Sequence, residues 1–151
     1  MSDQPNNQPL PRILVVDDNA QNVELLVEYL KTIECEVQTA ADGLEALEVV
    51  GQFKPDLILL DIMMPKMSGF EVCRKLKSDP ALRDIPIIMV TALDEMGDIK
   101  RAVESGTDDF ISKPVNRLEL TTRVKSLLRL RHLKEPERTL SYLEDMNKTN
   151  P

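Results

Sequence analysis

The chain has 151 residues, enough for one hydrophobic core of ordinary size but short for two, so we predict a single domain with tails. With 42% hydrophobic and 30% charged residues the composition is globular, and the apolar runs are too short for a membrane span or a signal peptide, so we expect a cytoplasmic protein without membrane contact. A net charge of −7 and a pI near 4.8 argue against direct binding of nucleic acid, because nucleic-acid-binding proteins carry basic patches.

Regular structure is predicted to begin after a polar N-terminal arm. Residues 1–10 start with MSDQPNNQP and contain too few apolar side chains to offset the entropy of ordering them, so we expect a disordered arm. The β-branched run RILVVDD at 12–18 then predicts a strand, and the segment 19–33 predicts a helix that Asn19 caps. Apolar residues recur at helical spacing in that segment, at Val23, Leu26, Val27 and Leu30.

The alternation of strand and helix continues to residue 131. CEVQTA at 35–40 alternates as a strand does, and Asp42-Gly43 opens a second helix, LEALEVVGQF. Three more pairs follow, with strands at 56–61, 86–91 and 108–112 and helices at 69–78, 96–105 and 116–131. Five such units in sequence, some with strands that are apolar throughout, predict a parallel sheet covered by helices on both faces. We therefore assign residues 11–131 to one α/β domain.

The C-terminal residues 132–151 depart from this pattern. Glu135-Pro136 interrupts the helix, and Leu140, Leu143 and Met146 then recur three residues apart, which predicts a short amphipathic helical extension. Its narrow apolar face fits two interpretations equally well. One is a tail packed on the domain, and the other is a linker to an output domain or a dimer partner.

Polar side chains stand at the ends of four of the predicted strands. Asp17 and Asp18 end the first strand, Asp61 ends the third, Thr91 ends the fourth and Lys113 follows the fifth. Each alone has an ordinary explanation, because Asp caps helices, Thr favours strands and Lys is commonly solvated. In an open parallel sheet, however, ligands bind beyond the carboxyl ends of the strands, near the point where the strand order reverses. The five side chains are therefore predicted to converge on one rim.

Three carboxylates at one place predict a bound cation. Like charges in contact are tolerated only when one group is protonated or a cation is present. Mg²⁺ suits this set because it prefers a few carboxylate oxygens together with water and phosphate, and Mn²⁺ is an alternative. We expect Asp18 and Asp61 to bind the ion directly, with a backbone carbonyl near Met63, and Asp17 to bind it directly or through a water.

The other polar side chains on this rim predict phosphoryl chemistry. A carboxylate can act as a nucleophile and form an acyl phosphate, and the transfer needs positioning and neutralisation of the phosphoryl oxygens. The cation, the Lys113 ammonium and the Thr91 hydroxyl would supply that neutralisation. Asp61 is the predicted nucleophile, because it lies centrally, between the acid pair and Thr91.

The motifs that contain these residues resemble those of the receiver domains of two-component response regulators. They are VVDD at 15–18, LLDIMMPKMSG at 59–69, VTA at 90–92 and DFISKP at 109–114, and their order and separations agree across about residues 11–131. The sequence from Gly69 onward looks most like receivers of PleD-type diguanylate cyclases and of HD-GYP regulators. The resemblance implies the flavodoxin-like (βα)5 fold, with strand order 2-1-3-4-5.

The resemblance also implies a role for each of the five rim residues. Asp61 would accept a phosphoryl group from a histidine kinase or a histidine phosphotransfer protein. Asp17 and Asp18 would organise Mg²⁺, Thr91 would move to bond a phosphoryl oxygen, and Lys113 would pair with that group. The predicted function is thus a phosphorylation-activated switch.

The resemblance also implies residues that transmit the signal and residues that set the lifetime of the phosphorylated form. Phe110 stands where the family keeps a rotameric aromatic that fills the space Thr91 vacates, and so switches the surface of the fourth helix, fifth strand and fifth helix. The bond before Pro114 is typically cis in the family. Family receivers differ in phosphate lifetime through two positions, here Met63 and Leu93. Because both are apolar, we hypothesise that neither orients an attacking water and that the phosphorylated form is long-lived.

Two other classes of function compete with this interpretation. A phosphatase of the haloacid dehalogenase type also forms an aspartyl phosphate, but it places its nucleophile in a D-x-D motif on the first strand, and this chain has no D-x-D. A pseudo-receiver that only binds or dimerises would not need the complete set of five rim residues. We therefore predict a non-enzymatic switch that takes up, and slowly loses, its own phosphate.

The output of the switch is not defined by the sequence. No helix-turn-helix, GGDEF or phosphodiesterase motif follows residue 131, so we expect either a stand-alone receiver or a fragment of a longer regulator. The expected partners are a kinase or phosphotransfer protein as donor and an effector protein or a second copy as target. The basic residues of the last helix fit a solvated face better than a partner surface; they are Arg123, Lys125, Arg129, Arg131 and Lys134.

Overall fold

The computed structural model describes residues 9–92 and 96–134, in which five strands and five helices alternate. Most of the predicted N-terminal arm lies outside these residues, as do Leu93 and the predicted helical extension beyond residue 134. The described part matches the predicted (βα)5 architecture element for element.

The five strands form one parallel sheet. Its order is β2-β1-β3-β4-β5, the predicted flavodoxin-like order, so the strand order reverses between β1 and β3. Val16 pairs in register with Ala40 on one side and with Leu60 on the other. The strands are β1 (Arg12–Val16), β2 (Glu36–Ala40), β3 (Leu57–Leu60), β4 (Ile87–Thr91) and β5 (Asp109–Ser112).

The helices alternate with the strands and end close to their predicted positions. They are α1 (Ala20–Leu30), α2 (Gly43–Phe53), α3 (Gly69–Ser78), α4 (Met96–Glu104) and α5 (Arg117–Lys134). The last helix therefore runs three residues past the predicted domain boundary at residue 131. Across the described part of the chain, no helix combines the length and the apolar character needed to cross a membrane.

Each central strand contributes to two cores because its side chains alternate between the faces of the sheet. Ile58 and Leu60 of β3 join a cluster with residues of α2 and α3, whereas Leu57 and Leu59 join a cluster with residues of α1 and α5. All four side chains are fully buried. This explains why the strand is apolar at every position, and it confirms the prediction of helices on both faces.

Three helices begin at capped residues on the rim that the carboxyl ends of the strands form. The Asn19 side chain accepts hydrogen bonds from the backbone N–H groups of Gln21 and Asn22, so the predicted cap is confirmed. Asp42 and Ser68 cap α2 and α3 in the same way. The caps fix the short connections that carry the candidate site.

Candidate functional site

Three carboxylates meet where β1 and β3 end. Because Val16 and Leu60 are register partners, the residues that follow them, Asp17 and Asp61, stand side by side beyond the sheet. Asp18 directly follows Asp17 in the chain. Each of the three acids offers a carboxylate oxygen that lies within 4.8 Å of the others. The structure thus brings together the three acids that the sequence predicted would meet.

The three acids differ in their surroundings. Asp17 and Asp61 are 2% and 5% exposed, whereas Asp18 lies in contact with solvent. Oδ1 of Asp17 accepts a hydrogen bond of 2.9 Å from the backbone N–H of Asn19. Oδ1 of Asp61 is buried and has no hydrogen-bond partner among the described residues. A buried oxygen of this kind is costly, and such exceptions mark strained or functional positions.

Lys113 supplies the positive charge at this rim. Its Nζ lies 3.1 Å from Oδ2 of Asp17 and 3.6 Å from Oδ1 of Asp61. Its backbone N–H donates to the carbonyl of Thr91 at 3.0 Å, and the bond to Pro114 is cis, as the resemblance implied. The sequence did not predict the close pairing with Asp17, because that contact joins residues far apart in the chain.

The surroundings of Asp61 disfavour its charged form. Burial raises the pKa of the Asp61 carboxyl, and the neighbouring Asp17 carboxylate raises this pKa further. The Lys113 ammonium and the backbone amides of Met63 and Ile62 lower the same pKa and offset part of the rise. The net direction is upward, so Lys113 and the two amides do not fully offset the effects of burial and of Asp17 on this pKa.

A divalent cation fits this donor set. The carboxylates of Asp17, Asp18 and Asp61 are hard oxygen donors, which Mg²⁺ prefers, and one oxygen of Asp61 accepts no hydrogen bond from any residue that the structure describes. A cation would also relieve the repulsion that raises the pKa of Asp61. The predicted carbonyl ligand at Met63 remains a prediction.

Thr91 and Phe110, the predicted switch pair, lie on the two strands next to β3. Leu60 pairs in register with Met89, so Thr91 at the end of β4 extends past the level of Asp61, and it is 1% exposed. Phe110 of β5 pairs with Met89, is half-buried and packs against the core cluster beside α3. The movement expected of the pair remains a prediction.

The predicted lifetime positions lie at the rim of the site or beyond the described residues. The side chain of Met63 is 76% exposed, while its backbone amide lies near the Asp61 carboxylate. Leu93 is outside the described residues.

Gly69 is a residue of the site that sequence reasoning missed. A Cβ at this position would clash with the backbone carbonyl oxygen of Asp61 and would lie 2.8 Å from Cα of Ile62. The Gly69 N–H donates to the carbonyl of Ile62 at 2.9 Å, which holds the start of α3 against the loop. The available signal was a glycine directly after the cap Ser68, where most helices do not need one.

Comparison with known proteins places these features in a family. The chain matches the family described as response regulator receiver domain over residues 13–125. It is 52% identical over 120 residues to the response regulator PleD of Caulobacter vibrioides, an alignment that covers 80% of this chain and 26% of PleD. It is 41% identical over 120 residues to the DNA-binding dual master transcriptional regulator RpaA of a Synechocystis strain, covering 80% of this chain and 50% of that protein.

A solved structure agrees with the fold. The signal receiver domain of a signal transduction histidine kinase from Syntrophus aciditrophicus superposes with a TM-score of 0.75 at 39% identity. That alignment covers 79% of this chain and 90% of the receiver domain. By contrast, the chain spans about a quarter of PleD and about half of RpaA.

Proposed function

The chain belongs to the family of response regulator receiver domains, which act in phosphorylation-dependent signalling, and from this premise we propose that Asp61 is the phosphoacceptor of a Mg²⁺-dependent switch. Receiver domains bind Mg²⁺ at an acidic pocket, and this chain has such a pocket. The observation that carries the proposal is the meeting of the Asp17, Asp18 and Asp61 carboxylates within 4.8 Å, with Lys113 Nζ 3.6 Å from Asp61.

The proposed reaction transfers a phosphoryl group from a phosphohistidine to Asp61. A carboxylate oxygen of Asp61 attacks phosphorus, the P–N bond to the donor imidazole breaks, and that nitrogen keeps the electron pair. The product is an acyl phosphate on Asp61. The donor is a histidine kinase or a histidine phosphotransfer protein.

The other site residues stabilise the charge that arrives with the phosphoryl group. The side chains of Asp17, Asp18 and Asp61, with a backbone carbonyl of Met63, would hold Mg²⁺, whose charge would neutralise phosphoryl oxygens. The ammonium of Lys113 is placed to pair with the same group, since it already lies near Asp61. These roles make Asp61 the catalytic nucleophile and Lys113 an electrostatic partner.

The signal would leave the site through Thr91 and Phe110. Phosphorylation adds roughly −1.5 to −2 charge and three strong acceptor oxygens, enough to draw the Thr91 hydroxyl toward the site. The ring of Phe110, now half-buried, would then fill the space that Thr91 leaves. The surface formed by α4, β5 and α5 changes with it, and an effector protein or a second copy of the chain binds that surface.

A direct test uses acetyl phosphate or phosphoramidate as donor, with Mg²⁺, and intact mass as the readout. The native chain should gain the mass of one phosphoryl group, and Asp61→Asn should gain none, because an amide is not a nucleophile for this step. Asp56→Asn is the matched control, since Asp56 lies at the other end of β3 and should leave the gain unchanged. Equal phosphorylation of Asp61→Asn, or a gain that survives removal of divalent metal, would refute the proposal.

The lifetime of the phosphorylated form is part of the same proposal. The exposed Met63 side chain, like Leu93, has no group that orients an attacking water, so the acyl phosphate should be long-lived. Met63→Asn should hasten its loss, because the amide can hydrogen-bond water near the phosphoryl group. Decay of the phosphorylated mass over time measures this, and an unchanged rate in Met63→Asn would count against the proposal.

The proposal assigns the chain a signalling role without turnover of external substrates. A phosphatase of the haloacid dehalogenase type would hydrolyse a generic aryl phosphate, and we expect no such turnover here. We further propose a cytoplasmic location and a protein partner, with no direct contact to nucleic acid or membrane. The acidic net charge of −7 supports the absence of nucleic-acid binding.

A further inference from the structure

Helix α4 is anchored to α3 at its C-terminal end. The backbone carbonyl of Ser105, just past the helix, accepts a hydrogen bond of 3.3 Å from Sγ of the buried Cys73. Gly106 has a φ of +97°, and a Cβ there would lie 3.0 Å from Cγ of Lys77. Both close approaches hold the C-terminal end of α4 against α3.

One turn earlier, Arg101 forms a further contact between the two helices. The Arg101 guanidinium lies over the ring of Phe70, with its Cζ 4.4 Å from the ring centroid. Arg101 is exposed, whereas Phe70 is 3% exposed and belongs to α3. The negative face of an aromatic ring attracts a guanidinium at this distance, so the contact joins α4 to α3.

The Arg101–Phe70 contact lies in the same packed core that Phe110 touches. Phe70 and Ala102 are buried members of one hydrophobic cluster that also contains Met89, and Phe110 packs against that cluster. Because a protein core is close-packed, further entry of the Phe110 ring requires a neighbouring element to move. Helix α4 is one such neighbour, since its residue Ala102 belongs to the same cluster.

Phe70 is also connected to the phosphoacceptor. It follows Gly69, whose Cα is pressed so closely against the Asp61 carbonyl that no side chain fits there. The Phe70 ring that Arg101 contacts is thus one residue away from the loop that follows Asp61.

We propose that Arg101 is a positioning residue: by stacking on Phe70 it holds α4 against α3 in the unphosphorylated domain and opposes the switch that phosphorylation brings. This inference rests on the proposed function of Asp61. It adds a residue that the rim itself does not contain. It also predicts the sign of the effect of removing Arg101. If the contact exists only in the unphosphorylated state, its loss shifts the equilibrium toward the switched state.

Thermodynamic linkage turns this direction into a measurable change in affinity. If the contact stabilises only the unphosphorylated state, its removal favours the switched state, and a ligand that selects that state must bind more tightly by the same factor. An exposed cation–π contact corresponds to about a twofold to fivefold change in an equilibrium constant. Beryllofluoride, which imitates the phosphoryl group at a carboxylate, is a suitable ligand.

The experiment measures beryllofluoride binding to the whole chain with Mg²⁺ by titration calorimetry. Arg101→Met keeps the length of the side chain and removes the charge. Lys100→Met is the matched control, because Lys100 is the neighbouring exposed cation on α4, its loss changes net charge equally, and its Nζ lies 3.9 Å from Glu104. Arg101→Lys keeps a cation that can contact the ring.

The expected result is about twofold to fivefold tighter binding by Arg101→Met, with Lys100→Met unchanged and Arg101→Lys close to the native chain. A general loss of stability would not make Arg101→Met bind more tightly while Arg101→Lys binds like the native chain. Equal affinity of Arg101→Met and Lys100→Met would overturn the role of Arg101 while leaving the proposed function intact.

A second variant keeps the test decisive. Phe70→Leu removes the ring, and adding Arg101→Met to it should then have no further effect on affinity. An effect of Arg101→Met that persists without the ring would contradict the stacking. A native chain that binds no beryllofluoride and takes no phosphoryl group would overturn the proposed function, and this inference with it.

Discussion

Acidic residues at the two rims of the sheet differ in their partners. On the rim formed by the amino ends of the strands, Asp56 accepts a hydrogen bond of 2.9 Å from the Arg12 N–H and lies 3.4 Å from Nε of Arg131. On the same rim, Oδ2 of Asp108 accepts from the Ile87 N–H and from Lys77 Nζ, both at 2.8 Å. Acids on this rim join elements together.

On the opposite rim, three acids lie together, and two of them approach the same Lys113 ammonium. Asp17 and Asp61 both approach Lys113, and Oδ1 of Asp61 has no hydrogen bond within the described part of the chain. Strand β3 runs from one rim to the other, with Asp56 directly before it and Asp61 directly after it. Paired acids therefore mark contacts that join elements of the fold, and the crowded acids mark the candidate functional site.

The sharpest test of this division is steric, at Gly69. Gly69→Ala should lower the free energy of unfolding by about 3 kcal/mol or more, because the new Cβ meets backbone of Asp61 and Ile62 that has little room to move. Phosphorylation of Asp61 should fall with it. Urea denaturation and intact mass measure the two effects.

Gly51→Ala is the control for that substitution. Gly51 lies inside α2, and a Cβ there would meet nothing within 4 Å. Alanine should therefore raise stability by about 0.5–1 kcal/mol through its better helix propensity. Two changes of the same kind should thus have opposite signs, and a tolerated Gly69→Ala would show that the loop adjusts more easily than its contacts indicate.

The next effect in size is expected on the amino-end rim. Asp108→Ala should lower the free energy of unfolding by about 2 kcal/mol, because Ile87 N–H loses its acceptor and Lys77 loses its charged partner. Phosphorylation of Asp61 should be unchanged in the fraction that remains folded. Urea denaturation with intact mass again separates the two outcomes.

The double variant Lys77→Met and Asp108→Ala tests the origin of that loss. Removing both members of an ion pair leaves less uncompensated charge than removing one. The double variant should therefore cost less than the sum of the two single changes. A strictly additive result would mean that Lys77 and Asp108 do not stabilise each other.

Much of the fold could be predicted from sequence because its signals are local. The apolar strands, the helical spacing in α1 and the cap at Asn19 each depend on a few neighbouring residues. The rule that parallel strands present their carboxyl ends on one rim then converted sequence positions into a site, which brought Asp17, Asp18 and Asp61 together.

The remaining contacts could not be predicted because they join distant residues. The pairing of Lys113 with Asp17 and the stacking of Arg101 on Phe70 depend on tertiary geometry that no local pattern encodes. Strand ends were also misplaced by a residue or two: β1 ends at Val16 rather than at Asp18. The backbone N–H groups of Asp17 and Asp61 still donate to the carbonyls of Ala40 and Val16, so these hydrogen bonds hold both acids at the rim.

The third prediction concerns how much the Asp61 carboxylate destabilises the metal-free chain. Asp61→Asn should stabilise the metal-free chain at neutral pH by about 1 kcal/mol, because it removes a buried charge beside the Asp17 carboxylate. Mg²⁺ should stabilise the native chain more than this variant, since it binds the folded native site. Urea denaturation with and without the metal measures both.

The pH dependence of that gain has a definite sign. Burial raises the pKa of Asp61 in the folded chain above that of the unfolded chain, so the folded state holds a proton there more tightly. The contribution of the carboxyl is favourable below the unfolded pKa and is lost as the pH rises through the folded pKa. The advantage of Asp61→Asn should therefore shrink on acidification, and an advantage that grows instead would contradict the assigned cause.

The smallest effect is expected from Asp56→Asn, on the paired rim. An asparagine oxygen can still accept from the Arg12 N–H, but the charge facing Arg131 and the hydrogen bond from its Nε are lost, so the free energy of unfolding should fall by about 0.5–1 kcal/mol. The sign is thus opposite to that of Asp61→Asn, although the same substitution is made at the two ends of one strand. Urea denaturation of both variants without metal gives the comparison. If Asp56→Asn were instead stabilising, its carboxylate would be as poorly accommodated as that of Asp61, and the pairing of acids would not distinguish the two rims.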